Sequence, residues 1–131
     1  MTLIETDRRS WVAVCHLAVL EPERGVAVLV NGAAVALFRV GDQVLGVSNV
    51  DPCSGASVLS RGLVGHTDLG DGPVAYVASP LRKERFDLVT GRGLDVDIDL
   101  ETWPVRVLED GWVEVHRGEA SPSGNGPETN P

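Results

Sequence analysis

Apolar runs separated by glycine-containing polar turns follow one another along most of the chain. Short runs rich in β-branched and aliphatic residues between such turns are typical of antiparallel strands. No window of ten or more residues shows convincing helical periodicity. The pattern therefore predicts an all-β domain of about ten short strands. The predicted strands cover residues 11–17, 26–30, 33–40, 44–48, 62–66, 74–78, 85–89, 103–108 and 112–116.

Two-residue turns join several of these strands. Asn31-Gly32 lies between two apolar runs, which is a strong hairpin signal because both residues tolerate positive φ. Gly41-Asp42 marks a second tight turn, so residues 26–48 are predicted to form a three-stranded meander. Asp110-Gly111 supplies the turn of a closing hairpin.

Residues 94–101 alternate strictly between aliphatic and acidic side chains. In extended form, this segment places its aliphatic residues on one side and its acids, including Asp95, Asp97 and Asp99, on the other. The simplest interpretation is a strand or extended segment with a solvated acidic face. The alternative is an acidic docking strip or a cation site.

The composition is that of one folded domain with short flanking segments. With 131 residues and a hydrophobic fraction of 43%, the chain can bury a core without disulfides. We expect an N-terminal extension over residues 1–9 and a domain over residues 10–117. Residues 118–131 contain a single alanine among Gly, Ser, Pro, Glu, Asn and Thr, and are predicted to be disordered.

The charge balance excludes several classes of partner. The formal net charge is −8 and the isoelectric point about 4.7, whereas nucleic acid and anionic membranes bind basic surfaces. No apolar run approaches the roughly 18 residues of a membrane span, and residues 1–10 lack the apolar centre of a signal peptide. Together with two isolated cysteines, Cys15 and Cys53, these features predict a cytoplasmic protein with reduced thiols.

Two polar loops stand out against this background. Residues 49–56 and residues 79–88 each follow a β-like run, and each carries a proline within a polar turn. A sheet that brought these loops together would form a single site from them.

The loops and their surroundings resemble the Rieske domain. The similarity extends over about residues 10–117 and includes Phe86-Asp87-Leu88 running into Thr90-Gly91, and the hairpin from Pro104 to Val113. The resemblance implies an antiparallel β-sandwich with a small loop-bearing subdomain near residues 49–87. In that family, two loops each supply a Cys and a His to a two-iron, two-sulfur cluster.

All four ligand positions differ in this sequence. The resemblance places Asp51 and Cys53 at the ligand positions of the first loop, and Ser79 and Arg82 at those of the second. Hydroxyl and guanidinium groups cannot replace a thiolate and an imidazole, so the resemblance implies a domain without a cluster and without a metal.

A narrower resemblance is to the small subunits of assimilatory NAD(P)H-dependent nitrite reductases. It depends on residues 49–62 and residues 78–86, two long and unusual strings. It implies a cofactor-free, non-catalytic subunit that supports or orients a large subunit. That partner would carry siroheme, FAD and a four-iron cluster, use NAD(P)H and reduce nitrite to ammonium. A cluster-less ferredoxin-like adaptor, or a stand-alone binding module using Cys53 or the acidic strip, remains an alternative.

The residues themselves suggest three further roles. A polar network of Asp51, Ser54, Ser79 and Arg82, with Arg82 reaching Asp51 or neighbouring carbonyls, is expected to replace the cluster as the link between the loops. Cys53 reads as a small packed thiol, with a mononuclear metal site of Asp51, Cys53 and His66 as the alternative. Trp103, beside a proline, is the candidate anchor of a partner interface because Trp is enriched in interface hot spots.

Overall fold

A computed structural model describes residues 10–117 of the chain. Within this range the fold is almost entirely antiparallel β, as predicted, with ten strands and two short 3-10 helices. The strands are β1 (Trp11–His16), β2 (Gly25–Val30), β3 (Ala33–Val40), β4 (Gln43–Ser48), β5 (Leu63–Asp68), β6 (Pro73–Ala78), β7 (Arg85–Asp87), β8 (Thr102–Trp103), β9 (Val105–Val107) and β10 (Trp112–His116). The 3-10 helices are Leu17–Val19 and Leu59–Arg61.

The strands form three sheets. The first has the order β1-β10-β9, so it joins the two ends of the described chain. The second, β2-β3-β4-β8, contains the predicted meander. In the third, β5-β6-β7, the first two strands lie between the two polar loops in sequence, and the second loop connects β6 to β7. The Asn31-Gly32 turn has φ values of 53° and 85°, as its hairpin requires.

The second sheet is the central layer of the molecule. Four consecutive residues of β3, from Val35 to Phe38, have no solvent exposure, so both faces of this strand are covered. Val35 and Leu37 pack in a core with Val113 and Val115 of the first sheet. Ala36 and Phe38 pack on the other face, in a core with Val77 and Phe86 of the third sheet. Burial on both faces explains why β3 reads as a continuous apolar run.

The acidic segment does not form the predicted strand. Residues 94–101 consist of bends and irregular chain, and Ile98 is 44% exposed whereas Leu100 is buried. Two of the carboxylates instead bond to backbone N–H groups ten and six residues away: Asp95 Oδ2 accepts from Arg85 N at 3.0 Å, and Asp99 Oδ1 accepts from Gly93 N at 3.0 Å. Such side-chain to backbone bonds compete with strand pairing, so strict alternation was misleading here.

The closing hairpin is shorter than predicted. β9 and β10 pair around Asp110-Gly111, as expected. Trp103, however, belongs to β8 and pairs with Gly46 of β4. Pro104 separates the two short strands, because its missing N–H and fixed φ interrupt a continuous ladder.

No helix within residues 10–117 is long and apolar enough to cross a membrane. The predicted N-terminal extension (residues 1–9) and the predicted disordered tail (residues 118–131) lie outside the described residues.

Candidate functional site: a polar junction between two loops

Loop one, residues 49–58, leaves β4 and folds back on itself. Asn49, at the start of the loop, is buried, and its side chain bonds to residues at and beyond the end of the loop. Its Nδ2 donates to Ser57 Oγ at 2.9 Å, and its Oδ1 accepts from Ser60 N at 2.7 Å. Gly55, with φ of 80°, donates its N–H to Asp51 O at 2.7 Å. The left-handed conformation at Gly55 closes the turn without steric cost. This hydrogen bonding turns the Asp51 side chain away from solvent.

Loop two, residues 79–84, connects β6 and β7 and is closed by its own backbone. Ser79 N donates to Glu84 O, and Lys83 N donates to Ser79 O, both at 2.9 Å. Lys83 has φ of 67°, a left-handed conformation that non-glycine residues adopt infrequently. The closed loop fixes Ser79 at the end of β6, where its side chain is buried.

Asp51 and Ser79 meet between the loops, and the two residues together form what we call the loop junction. Ser79 Oγ donates to Asp51 Oδ2 at 2.6 Å, and Asp51 Oδ1 accepts from Cys53 N at 2.8 Å. Ser79 Oγ also accepts from Leu81 N at 3.3 Å. Both residues are essentially unexposed, at 0% and 1%. A hydrogen bond to a buried charged group contributes roughly 1.5–3 kcal/mol, so the junction is a strong link.

The junction also determines the ionisation of Asp51. Burial by itself would raise the pKa of this carboxyl. The hydrogen bonds from Ser79 and from the Cys53 and Ser54 backbone outweigh burial, and the pKa lies below its ordinary value. Asp51 is therefore an anion held by donors.

Cys53 and Glu84 lie next to the junction. The donor atoms of Asp51, Cys53 and Glu84 all lie within 4.8 Å of one another. Burial raises the pKa of the Cys53 thiol, and the negative charges of Glu84 and Asp51 raise it further. A raised pKa keeps the sulfur as a neutral thiol near pH 7, which disfavours nucleophilic or redox reactivity.

The metal site of Asp51, Cys53 and His66, which was the alternative to a packed Cys53 thiol, is not formed among the described residues. His66 lies in the middle of β5, paired with Ala75, and is exposed; Glu84 occupies the third position instead. Both Asp51 oxygens already accept hydrogen bonds. Asp51 is thus occupied by the loop junction, and Cys53 and Glu84 are its neighbours.

The predicted contact between Arg82 and Asp51 is wrong. Arg82 Nε lies 3.7 Å from Glu84 Oε2, and the Arg82 side chain is 63% exposed. The short hydroxyl of Ser79 reaches Asp51 from inside the fold, whereas the long guanidinium stays near solvent. Its partner Glu84 is only 11% exposed, so the pair joins a solvent-facing guanidinium to a largely buried carboxylate. At 3.7 Å and with one partner in solvent, this ion pair contributes about 1 kcal/mol.

The four ligand positions do not fit a two-iron, two-sulfur cluster. Such a cluster needs two thiolates and two imidazoles in the Rieske arrangement. Asp51, Cys53, Ser79 and Arg82 offer one carboxylate, one thiol, one hydroxyl and one guanidinium. Two of these side chains are already bonded to each other at 2.6 Å, and the guanidinium points to a different partner.

The structure separates the predicted interface residues. Asp95 forms a bidentate ion pair with Arg85, with both N–O distances 2.9 Å, so it is largely neutralised. Asp97 is exposed. Asp99 and Trp103 line one open groove with Val50 of loop one. Of the four predicted interface residues, only Asp99 and Trp103 therefore line the same groove.

Sequence reasoning missed two residues of the site. Asn49 is the capping residue of loop one, and its position in the unusual string 49–62 was the available signal. Glu84 had no such signal, because only the pairing of β6 with β7 brings it to Cys53.

Residues 10–116 match the sequence profile of the Rieske-like [2Fe-2S] domain family. The chain belongs to this family, and the resemblance predicted from its two loops is confirmed. Among members of this family, it is similar to the small subunits of nitrite reductases.

Three relatives define that similarity. A nitrite reductase (NADH) small subunit from Salmonella typhimurium is 40% identical over 108 residues, which cover 80% of this chain and 95% of the relative. A crystal structure from Mycobacterium tuberculosis, described as the small subunit of an NADH-dependent nitrite reductase, is 43% identical with a TM-score of 0.75, over 84% of this chain and 96% of that one. The nitrite reductase [NAD(P)H] large subunit from Klebsiella oxytoca is 43% identical over 82% of this chain, but the chain spans only 11% of its length.

Proposed function

We propose that this chain is the small subunit of an NAD(P)H-dependent nitrite reductase, and that it supports or orients the large subunit. Similarity along nearly the whole length of the Salmonella small subunit supports this assignment. The Klebsiella large subunit, which contains a segment similar to this chain, supports a direct association of the two parts.

The observation that carries the proposal is the buried hydrogen bond from Ser79 to Asp51. It joins the two loops at the positions where the Rieske resemblance places one cluster ligand from each loop. The carboxylate and the hydroxyl are bonded to each other, and neither is the thiolate or imidazole that a Rieske cluster binds. The proposed small subunit therefore carries no cluster, and the hydrogen bond replaces the metal as the link between loops.

In this proposal the chemistry takes place on the large subunit. Siroheme, FAD, a four-iron cluster and the nicotinamide cofactor belong there, and nitrite is reduced to ammonium there. The small subunit supplies no catalytic residue. Two free thiols, Cys15 and Cys53, support a cytoplasmic location.

Two measurements on the purified proteins test the proposal. The chain is expressed alone, supplied with iron and sulfide under reducing conditions, and examined by visible absorption and electron spin resonance. We expect neither cluster absorption nor a spin signal after reduction, and no stoichiometric metal. A Rieske-type spectrum would overturn the cluster-free assignment.

The second measurement concerns the partner. Tagged chain and the large subunit from the same organism are co-expressed and purified through the tag. We expect the siroheme absorption to elute with the chain. Complete separation of the two proteins at low salt would contradict the proposed role as a subunit.

A further inference from the structure

An open groove of about 650 Å³ lies beside loop one. Three separate parts of the chain line it: the start of β3, loop one, and the segment that enters β8. Its apolar wall includes Ala34, Val50 and Trp103. Val50 is 39% exposed, although its neighbour Asp51 is completely buried. Loop one thus exposes the apolar side chain of Val50, which no other part of residues 10–117 covers completely.

Backbone hydrogen bonds hold the walls of the groove in place. Asn49 N donates to Ala34 O at 3.0 Å, which joins loop one to β3. Ser48 N donates to Glu101 O at 2.9 Å, which joins the end of β4 to the segment before β8. A surface that is already ordered loses little conformational entropy on binding. The groove is therefore suited to a partner.

The rim of the groove is acidic. Asp99 and Glu101 line it and are exposed, and Asp97 is exposed two residues before Asp99. Within residues 10–117 no salt bridge neutralises these three carboxylates, whereas Asp95 in the same segment is paired with Arg85. No lysine or arginine lines the groove in the described chain. An apolar floor beside unpaired anions suits a cationic partner segment.

We propose that the large subunit docks in this groove, an inference that rests on the proposed function. A segment of the partner places an aliphatic or aromatic side chain against Val50 and Trp103, and a Lys or Arg beside Asp99 and Glu101. A second copy of the chain does not suit the groove, because the net charge of −8 makes two acidic rims repel. The C-terminal residues 118–131 do not suit it either, since they contain two glutamates and no basic residue.

Two variants and two matched controls test the docking surface. Val50→Asp introduces charge into the apolar wall, and Glu101→Arg reverses the charge of the rim. Leu63→Asp is the control for the first, because Leu63 is 77% exposed and lies on β5 outside the groove. Glu109→Arg is the control for the second, because Glu109 is exposed in the turn before β10. Thermal unfolding of each variant first establishes that the fold is intact.

Binding to the purified large subunit from the same organism is then measured by calorimetry at low and moderate salt. We expect Val50→Asp to weaken binding about 30-fold, as for loss of an interface hot spot. Glu101→Arg should weaken it about tenfold and reduce its salt dependence, and both controls should stay within about twofold.

The outcomes separate the two proposals. If the wild-type chain binds the large subunit and the groove variants bind it equally well, the groove is not the docking surface. The proposed function is then unaffected. Wild-type chain that does not bind at all overturns both. If the chain alone forms a dimer and Val50→Asp abolishes that dimer, the groove binds a second copy of the chain, which contradicts the proposal.

Discussion

The loop junction and the groove both include residues of loop one, but they differ in the burial of their polar groups. At the junction, Asp51 is buried and bonded to Ser79 and to its own loop. One residue earlier, Val50 faces the groove, where the polar neighbours are exposed carboxylates without a salt bridge in the described chain. Buried polar groups that satisfy each other stabilise a fold. Exposed anions beside apolar side chains are what a partner recognises.

This difference changes how the loops are interpreted. Residues at the four positions of the Rieske ligands are the expected place for chemistry, yet here Asp51 and Ser79 serve the internal structure. The surface with unsatisfied charge lies next to them, around Trp103 and Glu101. Variants should therefore separate into those that change stability and those that change binding.

The largest expected effect is on stability and comes from Asp51→Ala. Removing the carboxylate leaves the buried Ser79 hydroxyl and the Cys53 N–H without their acceptor. We expect a loss of about 3 kcal/mol in the free energy of unfolding, measured by urea denaturation. Asp42→Ala, an exposed acid in the turn between β3 and β4, is the control and should change it by less than about 0.5 kcal/mol. Equal losses of stability for Asp51→Ala and Asp42→Ala would show that burial of Asp51 does not make it more important than an exposed acid.

Ser79→Ala should have a smaller effect in the same direction. It removes one hydrogen bond to the Asp51 carboxylate but keeps the bond from Cys53 N. The expected loss is about 2 kcal/mol. Ser54→Ala, in the exposed part of loop one, should cost less than about 1 kcal/mol, because water can replace both the bond that its Oγ accepts from Ala56 N at 3.2 Å and its minor contribution to Asp51. A Ser79→Ala variant with wild-type stability would show that the junction does not hold the loops.

A further test uses pH. The pKa of Asp51 is lower in the folded chain than in the unfolded chain, so its stabilisation is complete above the unfolded pKa of about 4. It should be lost as the pH falls from that value through the lower, folded pKa. In the Ser79→Ala variant the folded pKa should rise, and the stability curve should fall less steeply in acid. Denaturation midpoints from pH 7 to pH 2.5 measure this, and parallel curves for the two proteins would contradict it.

The smallest expected effect is that of Arg82→Ala. Its ion pair with Glu84 spans 3.7 Å, and its side chain is 63% exposed. The free energy of unfolding should fall by about 1 kcal/mol, because the exposed guanidinium adds little but its loss leaves Glu84, which is only 11% exposed, without its counter-charge. Lys83→Ala in the same loop serves as a comparison for general loss of positive charge. A loss above about 2 kcal/mol at Arg82 alone would place this residue in the junction after all.

Local pattern was sufficient for most of the fold. The Asn31-Gly32 and Asp110-Gly111 turns, the meander over residues 26–48 and the β10 strand all follow from residues that are adjacent in sequence. Turn chemistry and side-chain alternation act over a few residues, so a single sequence contains them. The same reasoning failed over residues 94–101, because Asp99 and Asp95 bond to backbone groups that only the fold brings near.

The sequence by itself determined which residues stand at the four positions that the Rieske resemblance assigns to cluster ligands. Tertiary structure decided how those residues are used. Both Arg82 and Ser79 could in principle reach Asp51, and both His66 and Glu84 could in principle join Cys53. The pairing of β6 with β5 and β7 selects Ser79 and Glu84 and leaves His66 in solvent. Partners that lie 28 residues apart, as Asp51 and Ser79 do, are determined by strand register and burial, which no local pattern contains.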